Sequence, residues 1–444
     1  MPPMAMSRAM WREQSMSTVV DLVKPEARPY VEAFAETASE PRWLRDIRRR
    51  GLARFGELGF PNRRSESWRY LDLQPLEKKP LLPATPGLLD LVPRELGFDS
   101  AWAKLVLLDG SCMIAASQPM PEGIWFGSMR RAISERPDLV RAVGASDSDA
   151  QHPFAALNAA LFADGFVLDI APGVAIDRPI ELVHFAATGG ASHTRSLINL
   201  GEDCRAAIVE TYAGAGRYWR NDVVAVRLAA GAELTRSVVV EEGPEAVHLA
   251  QLDATLGVGA KFSGFALLLG GYRVRHEANV KLAGEDAVCR LDGAYIVTGS
   301  DEANIVTTVD HAAPGGQTRE LVKGVAAGRG HGAFQGKITV REHAQHTDAH
   351  QLSRNLLIGR NAAIDTKPEL EIYADDVKCS HGASVGDLDE AALFYLRARG
   401  IPLDEARRML IDGFLREAVE AVDDFATRTH LLRRLAARLA NLEG

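Results

Sequence analysis

The sequence predicts a mainly β chain: a right-handed parallel β-helix-like solenoid core flanked by N-terminal and C-terminal helical regions. Three observations carry this. A glycine-led unit recurs through the middle of the chain, helical periodicity is nearly absent there, and amphipathic helical patterns appear before and after it. The units open at Gly173 (GVAIDRPIELVHF), Gly201 (GEDCRAAIVETYA), Gly231 (GAELTRSVVVEEG), Gly259 (GAKFSGFALLLGG) and Gly284 (GEDAVCRLDGAYIV), spaced by 28, 30, 28 and 25 residues. GAFQGKITV at Gly332 and GRNAAIDTKPELEIY at Gly359 extend the series after a gap of about two periods. Each unit is a turn glycine and a short β-branched run, too poor in apolar residues to make its own core. It must therefore bury its apolar side against its neighbours. Short strands and frequent turns favour a β-helix over leucine-rich or helical repeats, with a β-sandwich as the structural alternative.

A chain of 444 residues exceeds one ordinary core and divides where its texture changes. Residues 1–100 read as an N-terminal helical region with a proline-rich linker, 101–376 as the β-helix core, and 377–444 as a C-terminal helical domain. Pro29 to Phe55 is helical, with Pro29 and Pro41 where helix starts tolerate proline and Tyr30, Phe34, Trp43, Leu44, Ile47, Leu52 and Phe55 as apolar faces. Its run RDIRRRGLARF reads as a solvated helix face, because Glu32, Glu36, Glu40 and Glu57 flank it. Prolines recur from Gln74 to Arg94 and mark an irregular linker. At the other end, Asp387 with Glu390 predicts a capping box opening a helix that stops at Gly400. A second helix follows Pro402 with Ala406, Leu410, Phe414 and Ala418 as its stripe, and a third covers His430 to Leu442.

A net charge of −8 argues against nucleic acid or an anionic membrane as partner, since both need a concentrated basic face. No apolar run approaches the roughly 20 residues a membrane span requires. The first seventeen residues have no apolar segment of a secretory signal and read as a disordered extension. Four widely separated cysteines (Cys112, Cys204, Cys289, Cys379) are not a disulfide framework and point to a reducing cytoplasm.

The chemistry concentrates in DDVKCSHGASVGDLDE, Asp375 to Glu390. Cys379 and His381 are two residues apart. In an extended segment they share one side, roughly 6.6 Å apart at Cα, while Ser380 points the other way. Thiolate and imidazole bind metal at about 2.3 and 2.0 Å, so the pair can converge on one ion. The same pair also reads as a small buried cysteine followed by a histidine at a strand end. Apolar parity flips across Asp375 and Asp376, which implies a turn or bulge there.

The run DTKPELEIYADDVKCSHGASVGDLDEAALFYLRARGI resembles the SufB/SufD family of iron–sulfur cluster assembly proteins, and its KCSHG and LFYLRARGI resemble the SufD type. The resemblance extends through LDGAYIVTGSDEANIVTTVDH and HTDAHQLSRNLLIG, and more loosely through HPFAALNAALFADGFVLDIAPGV and NRRSESWRYLDL. It implies a β-helix-like core and a non-catalytic subunit that pairs with a SufB-type homologue and SufC-type ABC ATPase subunits. Together these build nascent clusters and pass them to apoprotein acceptors. His381 matches the family's functional histidine, placed at the interface with the SufB-type partner, and Cys379 a neighbouring family cysteine. Both would be transient ligands of a cluster shared with the partner chain. The C-terminal helices match the region that docks the ATPase. Family complexes are also associated with a reduced flavin, for which no motif here gives a location. Without the partner, a homodimer is the assembly left open. The alternatives are a SufB-type scaffold, disfavoured by KCSHG and the few cysteines, and a β-helix carbohydrate-active enzyme using Asp375 and Asp376 as acid or calcium ligands.

Other candidates read as structural. GAFQGKIT (Gly332 to Thr339) lacks the glycine spacing of a phosphate loop, with Ile338 where the magnesium-binding hydroxyl belongs, so it reads as a strand turn. His343, His346 and His350 fall inside the strand repeat; only the last two would share a face, roughly 13 Å apart, too far for one ion. Cys204 and Cys289 read as small core residues, and Cys112 follows a turn without a partner.

Overall fold

The computed structural model describes residues 23–35, 37–113, 120–143 and 151–441; the reading of the first seventeen residues and Leu442 lie outside them. Among the described residues there are nineteen strands: β1 Ala103–Leu108, β2 Ser111–Met113, β3 Ile124–Ser128, β4 Phe166–Ile170, β5 Ile180–Ala186, β6 Gly190–Leu200, β7 Arg205–Gly214, β8 Tyr218–Leu228, β9 Glu233–Glu241, β10 Val247–Leu256, β11 Lys261–Gly270, β12 Arg273–Leu282, β13 Val288–Val297, β14 Glu302–His311, β15 Gln317–Ala327, β16 His331–Val340, β17 Asp348–Ile358, β18 Ala363–Ile372 and β19 Lys378–Gly386. Odd strands from β5 to β19 stack on β1 and β2 in a ten-stranded sheet. Even strands from β4 to β18 stack on β3 in a nine-stranded one. Neighbours pair in parallel except at β1–β2 and β3–β4. The chain thus alternates between two facing sheets in a parallel β-solenoid of about 8 turns.

The period is confirmed, but its markers differ from those the glycines suggest. At one corner of each coil but the last, a residue adopts left-handed backbone geometry: Gly173, Asp203, Gly231, Gly259, Asp286, Gly315 and His346, with φ between 54 and 77°. Each backbone N–H donates to a carbonyl in the corner of the next coil, from Gly173 to Glu202 through His346 to Asp376. Gly332 does not belong to this series, because it lies inside β16 in the other sheet, and Gly359 precedes β18. Gly315 and His346 fill the gap instead. Aspartate and histidine tolerate the left-handed region better than most residues, so a count of glycines misses those corners.

Inward side chains of both sheets form the core, including Leu182, Val224, Leu252, Phe262, Val309 and Ile338. Cys204 and Cys289 belong to it, as expected for small apolar residues. The helices lie outside the solenoid: α1 Arg28–Glu32, α2 Arg42–Leu58, α3 Gln74–Lys78, α4 Met129–Glu135, α5 Pro137–Val143, α6 Pro153–Leu161, α7 Glu390–Arg397, α8 Leu403–Val419 and α9 Phe425–Ala440. Tyr30, Phe55, Phe60 and Phe154 pack with Trp219 and cover part of the nine-stranded sheet. Within the basic run, Arg48 departs from a solvated face: it is buried, paired with Glu40 at 2.9 Å and bonded to the Ala160 carbonyl. Helices α4 to α6 sit between β3 and β4, inside the span 101–376 read as the β-helix core, so the first part of that span is not solenoid.

On the ten-stranded sheet, Ile411, Leu415, Val419, Leu431, Leu435 and Leu439 pack against Val239, Phe265, Leu267, Ala294 and Ile296. The stripe of α8 is therefore rotated from the expected one. Ala406 and Ala418 are buried, but Leu410 and Phe414 sit half-buried at its rim. The cap of α7 is Asp389 rather than Asp387; its carboxylate accepts from Ala391 N at 2.8 Å and Ala392 N at 3.2 Å. The third helix starts earlier than expected, capped by Asp424.

Candidate functional site

Cys379 and His381 sit on β19, an integral strand of the ten-stranded sheet, so the solenoid runs on to Gly386, past residue 376 where its boundary was drawn. The expected turn at Asp375 and Asp376 is the corner between β18 and β19. In the parallel ladder, Cys379 lies opposite Ala349 and His381 opposite Gln351. Ala349 and Cys289 line the core, and Cys379 packs against it. By the two-residue period of a strand, Cys379 and His381 both occupy the inner side of β19. Cys379 is half-buried and His381 exposed, for one reason: β19 ends its sheet and no further coil covers it. Burial raises the Cys379 thiol above its usual range, opposed by a backbone hydrogen bond to Ala349 and reinforced by Asp348. The thiol is therefore mostly protonated until a cation or metal arrives.

Ser380 faces outward, as expected. Its hydroxyl lies 2.5 Å from His350 Nδ1, whose Nε2 stands 2.8 Å from Asp348, itself 2.9 Å from Arg319. This chain across β15, β17 and β19 braces the outer face of the last strand. The three histidines do not form one site. His343 and His346 lie in the corner before β17 rather than inside a strand, His343 Nε2 bonds the Ala312 carbonyl, and His346 pairs with Asp376 at 2.9 Å. Asp375 and Asp376 are exposed, with Asp376 committed to the corner through His346 and Gln345. GAFQGKIT is the body of β16, not a turn or a loop before a helix. Cys112 lies on β2 at the opposite end of the sheet from Cys379, with burial pushing its thiol up to about 12.

Among the described residues, no three His, Cys, Asp or Glu side chains converge as metal ligands. Cys379 and His381 can supply two donors, and a tetrahedral set needs others.

Sequence reasoning missed the polar groups inside the solenoid. Glu210 stands 2.6 Å from His184 Nε2, accepts the Tyr212 hydroxyl at 2.7 Å and pairs with Arg236. Burial works against its charge, but Arg236 and His184 outweigh burial and hold its carboxyl well below the usual range. Nearer the open end, Glu320 is fully buried and accepts from Gln351 Nε2 at 2.5 Å and Thr307 Oγ1 at 3.3 Å. Burial pushes its carboxyl up to about 7, with those two bonds opposing. Odd-looking polar residues within strand patterns, such as Glu210 in AAIVETYA and Glu320 in TRELVKG, were the signal available.

Among the described residues, two uncovered surfaces lie close in sequence to Cys379 and His381. Strands β18 and β19 leave both sheets open at the same end, where Ile372, Tyr373 and Val385 are exposed. Helix α7 buries none of its residues and exposes Phe394 (74%) and Tyr395 (55%), with Met409 of α8 also exposed. No helix among the described residues is long and apolar enough to cross a membrane.

Residues 183–414 match the family model for the SUF system FeS cluster assembly SufBD core domain, and 104–182 that for the SufBD protein N-terminal region. The iron–sulfur cluster assembly protein SufD of Escherichia coli is 29% identical over 388 residues, covering 86% of this chain and 90% of that protein. The chloroplastic protein ABCI7 of Arabidopsis thaliana is 28% identical, covering 81% and 79%. SufD of Bacillus subtilis is 25% identical, covering 88% and 92%. With more than half of its length in the core domain alone, this chain belongs to the SufB/SufD family of iron–sulfur cluster assembly proteins and is of the SufD type.

Proposed function

We propose that this chain is the non-catalytic SufD-type subunit of a cytoplasmic assembly complex. It pairs through its open end with a SufB-type homologue and carries SufC-type ABC ATPase subunits on its C-terminal helices. The nascent iron–sulfur cluster is cargo, built at the joint and passed to apoproteins, and Cys379 and His381 are this chain's contribution to holding it. One observation supports the reading above the rest: the Cys-x-His pair occupies the inner side of the last strand, where two sheets end with unpaired edges. Unpaired edge strands invite strand addition by another chain, and a homologue ending in the same way offers a matching edge. A two-donor site at such a joint is completed by the partner's donors. The exposed Phe394, Tyr395 and Met409 suit ATPase docking, because apolar side chains left outside the core gain from burial against a partner. The flavin associated with family complexes is assigned no residue of this chain.

The test is maturation of an iron–sulfur reporter enzyme in cells carrying His381→Ala, with complex yield measured in parallel. An exposed substitution changes stability by about 0.5 kcal/mol or less, so the complex should form normally while maturation falls. Cys379→Ala should lower maturation less. Normal maturation with His381→Ala, or a loss accounted for wholly by a missing complex, overturns the reading.

A further inference from the structure

A column of inward positions leads from the solenoid interior to His381. In the parallel ladders Leu291 of β13 lies opposite Glu320 of β15, Glu320 opposite Gln351 of β17, and Gln351 opposite His381 of β19. Neighbouring strands are about 4.8 Å apart, so side chains stacked at one register position touch. Gln351 is 2% exposed. Its Nε2 donates to Glu320 Oε2 at 2.5 Å, while its Oε1 is buried with no hydrogen-bond partner. A buried carbonyl oxygen left unpaired is destabilising, so its persistence calls for a donor. The carboxamide cannot turn away to find one. When Glu320 is ionised its carboxylate only accepts and so selects the amide edge, and a Cβ at Gly336 would stand 2.1 Å from Gln351 Nε2, so the glycine opposite makes the room this side chain fills. The one inward group on the far side of Gln351 in this column is the His381 imidazole.

We propose that Gln351 is the positioning residue for His381: its carboxamide oxygen accepts one imidazole N–H, and Glu320 beneath holds that carboxamide in the accepting orientation. The other ring nitrogen is then a neutral lone pair turned outward toward the joint. Histidines that bind metals commonly donate their second N–H to a carbonyl or carboxylate, which fixes tautomer and ring direction. The proposal rests on the reading of His381 as the functional histidine of the joint.

The experiment records ring nitrogen shifts by NMR in the full chain labelled at histidine, at pH 8 where Glu320 is mostly ionised, with His381 assigned by its loss in His381→Ala. Wild type should show one His381 tautomer. Gln351→Met should show both tautomers, and Gln351→Glu, whose carboxyl must share a proton with Glu320 but still presents an oxygen to His381, should return to one. Reporter maturation in cells should fall on the order of tenfold in Gln351→Met at unchanged complex yield, and recover in Gln351→Glu. A tautomer mixture in wild type overturns the proposal, as does a single tautomer kept in Gln351→Met. Full maturation in Gln351→Met beside a deficient His381→Ala overturns it too. Full maturation in His381→Ala instead overturns the reading of His381, while the tautomer result still judges the Gln351 contact.

Discussion

Lys323 Nζ donates to the Phe414 carbonyl oxygen at 2.9 Å, from a side chain that is 1% exposed. The cation also lies 4.4 Å from the centre of the Phe414 ring and pairs with Glu417, whose side chain is 56% exposed. The C-terminal helices are thus fastened to β15 by a buried charge as well as by the apolar face of α8.

This pair should respond asymmetrically to mutation. Removing Glu417 leaves a buried cation with only the Phe414 carbonyl and ring as partners and no counter-charge, whereas replacing Lys323 by an apolar side chain of similar length frees the carboxylate to water. Glu417→Ala should therefore cost about 2 kcal/mol and Lys323→Met about 1 kcal/mol or less. Thermal unfolding, with proteolysis of α8 and α9 as a local readout, checks the order. A larger loss for Lys323→Met would refute it.

Glu320 predicts a pH dependence. Its folded carboxyl titrates at about 7 rather than the ordinary 4.5 because it is buried. A raised value favours the protonated native state, so the associated stability is fully present below pH 4.5 and is lost as pH rises through 7. Glu320→Gln removes that dependence. Its stability relative to wild type should rise between pH 5 and pH 8 by up to about 3 kcal/mol. Denaturant midpoints at the two pH values measure it, and an equal difference at both would mean that Glu320 titrates normally.

The exposed face of α7 and α8 makes a separable prediction. Phe394→Asp with Met409→Asp should leave unfolding within about 0.5 kcal/mol per site of wild type, because neither side chain is buried. Recovery of a SufC-type ATPase in pull-down should fall at least tenfold. Undiminished recovery would place the docking surface elsewhere.

Much of this architecture was legible in local pattern. Strands of the ten-stranded sheet stood out because glycine corners precede apolar runs such as Val238–Val240 and Leu267–Leu269. Their partners in the other sheet, such as RVRHEANVKL of β12, did not, since charged residues fill positions that a simple apolar alternation would reserve for the core. Arg275 and Glu277 illustrate this, lying 2.7 Å apart and buried. Corner residues such as Asp286 and His346 were hidden by their chemistry, because the left-handed backbone they share with glycine leaves no mark in hydropathy.

The sequence by itself determined what depends on neighbours along the chain. The solenoid period, the helical ends and the shared side of Cys379 and His381 all follow from short spacings, the last from the two-residue repeat of any strand. Its KCSHG motif also carried the family. Only the tertiary structure decided that β19 joins the solenoid rather than the helical unit, that it is the uncovered end, and that Gln351 and Glu320 stand beneath His381. Those facts rest on hydrogen-bond register between strands about thirty residues apart, and register is set by the stacking of whole coils, which no local window contains.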